Sequence, residues 1–189
     1  STITLTYQRN LPAFDYTILR ERHKSTANSM ADITNETGLA FLHKESRFNE
    51  FDREPLLPRM LSTEGPALAI ADINKDGLDD VFVGGARNNQ ASIFLQQASG
   101  KFIKSHQPVI ANDSIYEDVS ATWADVNNDK HIDLVVASGG NEFYGDDFHN
   151  MPRVYLNDGK ANFTRLENAF TNLYITASSV APHDFNGDG

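Results

Sequence analysis

The chain contains no cysteine, which excludes disulfide bonds, cysteine-based zinc sites and thiol nucleophiles. Long apolar runs are missing as well, and no stretch approaches the ~20 residues that a bilayer-spanning helix requires. No signal peptide can be read at its start. Positive charge is scarce: 16 lysines and arginines face 26 aspartates and glutamates, a net charge of −10. An acidic surface repels phosphate backbones and anionic headgroups, so nucleic acid is excluded as a partner and membrane insertion is not expected. None of the six histidines has another four residues away as a metal-binding pair, and there is no G-x-S-x-G elbow. Nothing in the sequence assembles a nucleophile, a base and an orienting group, and the chain is expected not to be an enzyme.

What the chain has instead is acid, written three times in one phrase. Asp72-Ile-Asn74-Lys-Asp76-Gly77-Leu-Asp79-Asp80 is followed by Asp125-Val-Asn127-Asn-Asp129-Lys130-His131-Ile-Asp133, and then by Asp184-Phe-Asn186-Gly-Asp188-Gly189. Oxygen side chains occupy positions 1, 3 and 5 of every copy, and a carboxylate returns at position 9 of the two complete ones. Calcium takes six to eight oxygen ligands in a flexible shell, and a tight loop of hard oxygens is what it requires. The start matches the EF-hand pattern, but position 12 is Val83 or Val136 rather than Glu, and the flanks read as strands. These are calcium loops outside the EF-hand class. A lone copy would read more readily as a polar turn, since Asp, Asn and Gly are common turn formers. Recurrence between apolar segments favours the ion.

Ala67–Ala71, Ser120–Ala124 and Ser179–His183 precede the loops, and Val81–Gly85 and Leu134–Gly140 follow the complete ones. Short apolar runs bounded by turn residues predict buried strands, so each complete loop is the tip of a hairpin. Ser92–Gln96 and Arg153–Asn157 predict a third strand, and a short aromatic strand around Phe102 or Phe163 a fourth. From Asp72 to Asp125 is 53 positions, and from Asp125 to Asp184 is 59. Four strands repeating at that length predict propeller blades, which must stack to bury both faces. A β-sandwich is the competing architecture, and the similarity of whole four-strand units favours the propeller.

The segments Asp72–Gly85 and Asp125–Gly140 resemble FG-GAP or VCBS repeats, the calcium-loop blades of integrin-like propellers. Phe51-Asp-Arg-Glu-Pro55-Leu-Leu-Pro58, followed by Ser62-Thr-Glu-Gly-Pro66, resembles more narrowly the secreted propellers of Bacteroidetes-type bacteria. The resemblance implies an all-β fold, a partial propeller of four-stranded blades with Ca2+-binding hairpins. It implies as ligands the side chains of Asp72, Asn74, Asp76 and Asp80 with the Leu78 carbonyl, and those of Asp125, Asn127, Asp129 and Asp133 with the His131 carbonyl. Asp184, Asn186 and Asp188 would serve the third copy. Lys130 departs from the pattern where Gly is usual. It brings a positive charge to a position that favours a left-handed backbone, which predicts a weaker second site.

The expected organisation is an N-terminal strand (Ile3–Tyr7) and irregular covering region over 1–63, then blades over 64–116 and 117–175, with a third beginning at 176–189. Two blades and a fraction cannot close a ring, so the chain is expected to be part of a longer protein, able to self-associate through open edges. The expected function is non-catalytic recognition or adhesion by an exported bacterial protein, extracellular, periplasmic or at the outer surface, with a protein or glycan partner. A glycan-active enzyme's propeller and a structural spacer are the alternatives. The candidate ligand loop is Asn141–Asn150, with Glu142, Phe143, Tyr144, Asp146, Asp147 and His149, because aromatics beside carboxylates suit sugars. Packing of that loop against a neighbouring blade is the competing reading.

Overall fold

Where the chain enters and leaves each acidic loop, apolar residues recur on alternate sides, and that period of two builds strands. The computed structural model describes Asp15, Thr17, residues 31–185 and Gly187. It divides into two units, Ser1–Asp32 and Ile33–Gly189. In the first, Asp15 accepts hydrogen bonds from the Thr17 amide at 2.9 Å and its hydroxyl at 2.6 Å. The strand expected at Ile3–Tyr7 lies outside the described residues.

The second unit is all-β apart from short helices. Strands β1 (Leu68–Ala71), β2 (Asp80–Val83), β3 (Ser92–Gln96) and β4 (Phe102–Ser105) form one antiparallel sheet in sequence order. Strands β5 (Asp118–Ala124), β6 (Asp133–Ser138), β7 (Arg153–Asn157) and β8 (Phe163–Arg165) form a second in the same order. A short helix, α1 (Thr34–Thr37), precedes the first sheet, and another, α2 (Pro108–Asn112), links the two. Ala71 pairs with Asp80 and Ala124 with Asp133, so the two acidic loops close hairpins of the same length.

Alternation sorts the side chains of the first sheet. Ala69, Phe82 and Ile93 join Leu134, Val136, Tyr155 and Phe163 of the second sheet in one shared core. Val81, Val83 and Phe94 point the other way and are covered by Leu39, Phe41 and Phe102. At Gly84 a Cβ would lie 2.6 Å from that of Asp118 and 2.9 Å from that of Ala67, so only glycine lets the sheets approach there.

Asp118 rivets the sheets together. Its amide donates to the Gly85 carbonyl at 2.9 Å and its carbonyl accepts from the Ala67 amide at 3.0 Å. Its carboxylate accepts from the Gly85 amide at 2.9 Å and pairs with the Arg153 guanidinium, which also lies 4.0 Å above the Tyr116 ring.

The third inner strand expected at Ser179–His183 does not form, although the chain begins one in register. The Ala177 amide donates to the Ser138 carbonyl at 3.0 Å, the counterpart of the bond from Asp118 to Gly85. Val180 then donates to the Ser120 hydroxyl at 3.2 Å rather than to a strand. Pro182 lacks an amide hydrogen to give to a ladder.

Replacing Asp118 with alanine would leave Arg153, which is 3 % exposed, without its counter-charge. Loss of one partner of a buried pair costs about 3–5 kcal/mol. Urea denaturation followed by Trp123 fluorescence is expected to show D118A destabilised by that amount.

Candidate functional site

Both complete acidic loops fold by one set of hydrogen bonds. In the first, Asp72 accepts from the amides of Asp76 (3.1 Å) and Gly77 (2.8 Å), Asn74 from Asp76 (3.0 Å), and Asp76 from Leu78 (2.9 Å). In the second, Asp125 accepts from Asp129 (3.1 Å) and Lys130 (2.7 Å), Asn127 from Asp129 (3.0 Å), and Asp129 from His131 (2.8 Å). The Asn74 amide also donates to Asp76, and that of Asn127 to Asp129.

The carboxylate at position 9 lies beneath each loop. Asp80 is fully buried and accepts from Ile73 (3.2 Å), at the loop entrance, and from Gln96 (2.8 Å), on β3. Asp133 repeats this with Val126 (3.0 Å) and Asn157 (2.8 Å). Burial raises both carboxyls above the ordinary range despite these bonds, and the position 1 and 5 carboxylates of each loop add to the rise. In the second loop Asp129 moves the opposite way. The His131 amide lowers it first and the Asn127 side chain next, with a smaller contribution from Lys75 of the first loop.

The donor set is all oxygen and carries three carboxylates per loop, counting positions 1, 5 and 9. Among the described residues, none of these six aspartates lies in an ion pair. Each accepting oxygen retains lone-pair capacity. As they stand, no three Asp, Glu, His or Cys side chains among the described residues converge closely enough to hold an ion. A shell would therefore draw on Asn74 or Asn127 and on main-chain carbonyls as well. By the chemistry of its donors the set fits a hard cation such as calcium. In the third copy Asp184 is described, whereas Asn186 and Asp188 lie outside the described residues.

Position 6 is left-handed in both loops, with φ of 84° at Gly77 and 71° at Lys130. The strain anticipated for Lys130 is therefore present in the backbone.

The Asn141–Asn150 loop lies beyond the C-terminal end of β6, at the opposite end of the sheets. Most of its candidate ligand residues are engaged within the fold. Glu142 pairs with Arg87 and accepts from Ser46. Phe143 lies 4.5 Å from the Arg87 guanidinium and stacks on His149 at 4.1 Å. His149 also meets Phe148 at 3.8 Å and binds Asp147 at 2.7 Å. Tyr144 and Asp146 are exposed, and Phe148 joins them at the surface. The loop therefore packs largely inward, against the 43–54 segment and Arg87 of the first sheet.

Sequence reasoning missed Glu117, the residue before β5. It is buried and accepts from the Arg87 amide at 2.9 Å, while its other oxygen has no partner. Burial, with the charges of Glu45, Asp118 and Glu142 nearby, pushes its carboxyl up to about 8. The only signal available was a pair of acids, Glu117-Asp118, placed directly before an apolar strand.

Acidic hairpin loops on consecutive four-stranded antiparallel sheets define a repeat protein. The family described as FG-GAP-like repeat matches over residues 72–136 and again over 125–189, more than half of the chain, and the chain belongs to that family. Neither a curated protein nor a solved structure matches it.

Two predictions follow from this geometry. Lys130→Gly relieves a left-handed backbone that costs a non-glycine residue about 1 kcal/mol, so urea denaturation in chelator should show a gain of that size. For Glu117, a raised folded pKa means that its stabilisation is complete below about pH 4.5 and is lost as pH rises through about 8. Thermal melts of Glu117→Gln should match the parent at pH 5 and exceed it at pH 9. A gain of about 1 kcal/mol would raise the midpoint by about 2–4 °C.

Proposed function

We propose that the chain is a segment of a calcium-stapled β-propeller belonging to an exported protein, and that its role is recognition rather than catalysis. The observation that carries this reading is the acidic loop built twice, bond for bond, with three carboxylates and no ion pair among the described residues in either copy. Stacking as blades is supported by the core shared between the sheets and by the bond from Ala177 to Ser138, which starts a third copy in the same register.

Calcium would be held by Asp72, Asn74, Asp76, Asp80 and the Leu78 carbonyl, and by Asp125, Asn127, Asp129, Asp133 and the His131 carbonyl. Its chemistry there is structural, replacing repulsion among like charges by coordination. The chain's own residues do the positioning. Amides at positions 5, 6 and 7 orient the carboxylates, and the position 9 aspartate anchors each loop to its sheet. Extracellular modules bind calcium at about 10⁻⁴–10⁻³ M, which would leave such sites empty in cytosol and filled outside the cell. Recognition of a protein or glycan falls to the rim at the other end, where Tyr144, Asp146 and Phe148 are exposed on a loop whose base is fixed.

Thermal melts in calcium and in chelator test the reading. At tenfold excess over its dissociation constant each site contributes about 1.4 kcal/mol, so two sites should raise the midpoint by about 5–10 °C. Magnesium at equal concentration should do much less, because it demands near-ideal octahedral geometry. An unchanged midpoint in calcium refutes the proposal.

A further inference from the structure

The two acidic loops meet at one side chain. Asn157, at the end of β7, is 3 % exposed and makes bonds in four directions. Its main-chain amide donates to Asp133 at 2.8 Å, and its side-chain oxygen accepts from Gly159 at 3.1 Å. Its side-chain nitrogen donates to the Ile73 carbonyl at 2.8 Å and to the Ile132 carbonyl at 3.0 Å. Ile73 is the second residue of the first loop, and its own amide holds Asp80. Ile132 is the eighth residue of the second loop, between His131 and Asp133. One buried amide therefore fixes the entrance of one loop and the exit of the other.

We propose that Asn157 couples the loops, so that calcium held in the first raises the affinity of the second, and the reverse. The inference rests on the calcium reading above and adds to it a dependence between sites. Ordering the first loop fixes the Ile73 carbonyl, which holds the Asn157 amide in place. Asn157 in turn fixes Ile132 and Asp133, two consecutive residues of the second loop. The opposing effect is electrostatic, because an ion in one loop reduces the attraction of the other for a second ion. That effect acts between exposed loop tips and is screened over about 8 Å at physiological salt. The bridge acts through a buried side chain that salt does not reach, and it decides the sign. Gln96, the matching residue of the first sheet, makes the same main-chain bond to Asp80, but its side chain bridges no loop carbonyls among the described residues. The coupling therefore belongs to the junction between the two sheets.

Calcium titrations of the full chain test this, with second-loop occupancy followed at the Asp133 amide by NMR. Asp76→Ala cripples the first loop without touching the bridge, and it should weaken calcium binding at the second about fivefold or more, the lower end of ordinary coupling. Asp129→Ala should weaken the first loop by the same factor, since coupling is reciprocal. In Asn157→Ala the first-loop substitution should no longer affect the second loop. If Asn157→Ala does not fold, the two reciprocal factors decide alone. Second-loop calcium affinity that is the same in parent and D76A overturns the coupling and leaves the calcium reading intact. Coupling that survives N157A overturns the assignment to Asn157. No calcium-dependent shift in any variant overturns the calcium reading itself.

Discussion

A buried carboxylate that binds two amides from different parts of the chain fixes each sheet to its loop. Asp80 joins Ile73, where the first loop begins, to Gln96 on the third strand; Asp133 does the same for Val126 and Asn157. Both are also the first paired residues of their outgoing strands. Hairpin closure, strand pairing and loop shape therefore share one side chain per sheet. A carboxylate removed from water is costly unless hydrogen-bonded, and here both oxygens are satisfied. Burial still raises both carboxyls, and the position 1 and 5 carboxylates of each loop add to the rise.

The two ends of the sheets manage their charge differently. At the rim beyond β2 and β6 the fold supplies its own cations. Arg87 faces Glu142, Arg153 faces Asp118, and Arg165 faces Asp113 at 2.6 Å while donating to Tyr116 at 3.0 Å. Tyr155 adds a 2.6 Å bond to Asp113. Burial raises the Tyr155 hydroxyl above its ordinary range, so it acts there as a neutral donor. At the loop end no arginine, lysine or histidine among the described residues forms an ion pair with the acids. Like charges a few ångströms apart repel by about 1 kcal/mol in water and by about 4 near a protein surface. That difference between the two ends, as the described residues show it, supports the calcium proposal.

Much of this was legible in the sequence because it is local. Loop positions, hairpin closure and the spans of β3 and β7 come from short-range pattern, and the left-handed backbone at Lys130 from the place of Gly in the repeat. What escaped depends on partners distant in sequence. Asp118 and Arg153 are 35 residues apart, and the Asn157 amide reaches 84 residues back to Ile73. Leu39 and Phe41 cover the far face of the first sheet from a region with no readable period. In the Asn141–Asn150 loop, aromatics beside acids have the same composition whether they bind sugar or one another. Only the His149 contacts with Phe143 and Phe148 distinguish the two.

The position of Glu117 bears on how the rim could stay rigid while carrying so much acid. Glu45, Asp118 and Glu142 all act on Glu117, while Arg87 pairs with Glu142 and Arg153 with Asp118. With its carboxyl raised to about 8, Glu117 is largely protonated at neutral pH, which removes one negative charge from the crowded side. Neutralisation by a proton at one end and by a metal ion at the other would be two solutions to the same excess. The proton suits a site closed to solvent, where Glu117 is 4 % exposed. The metal ion suits loop tips such as Asp76 and Asp129, which water reaches. The proposed recognition role would suit the closed end, because a loop anchored through Glu142 to Arg87 and Ser46 presents Tyr144 and Phe148 without first having to order itself.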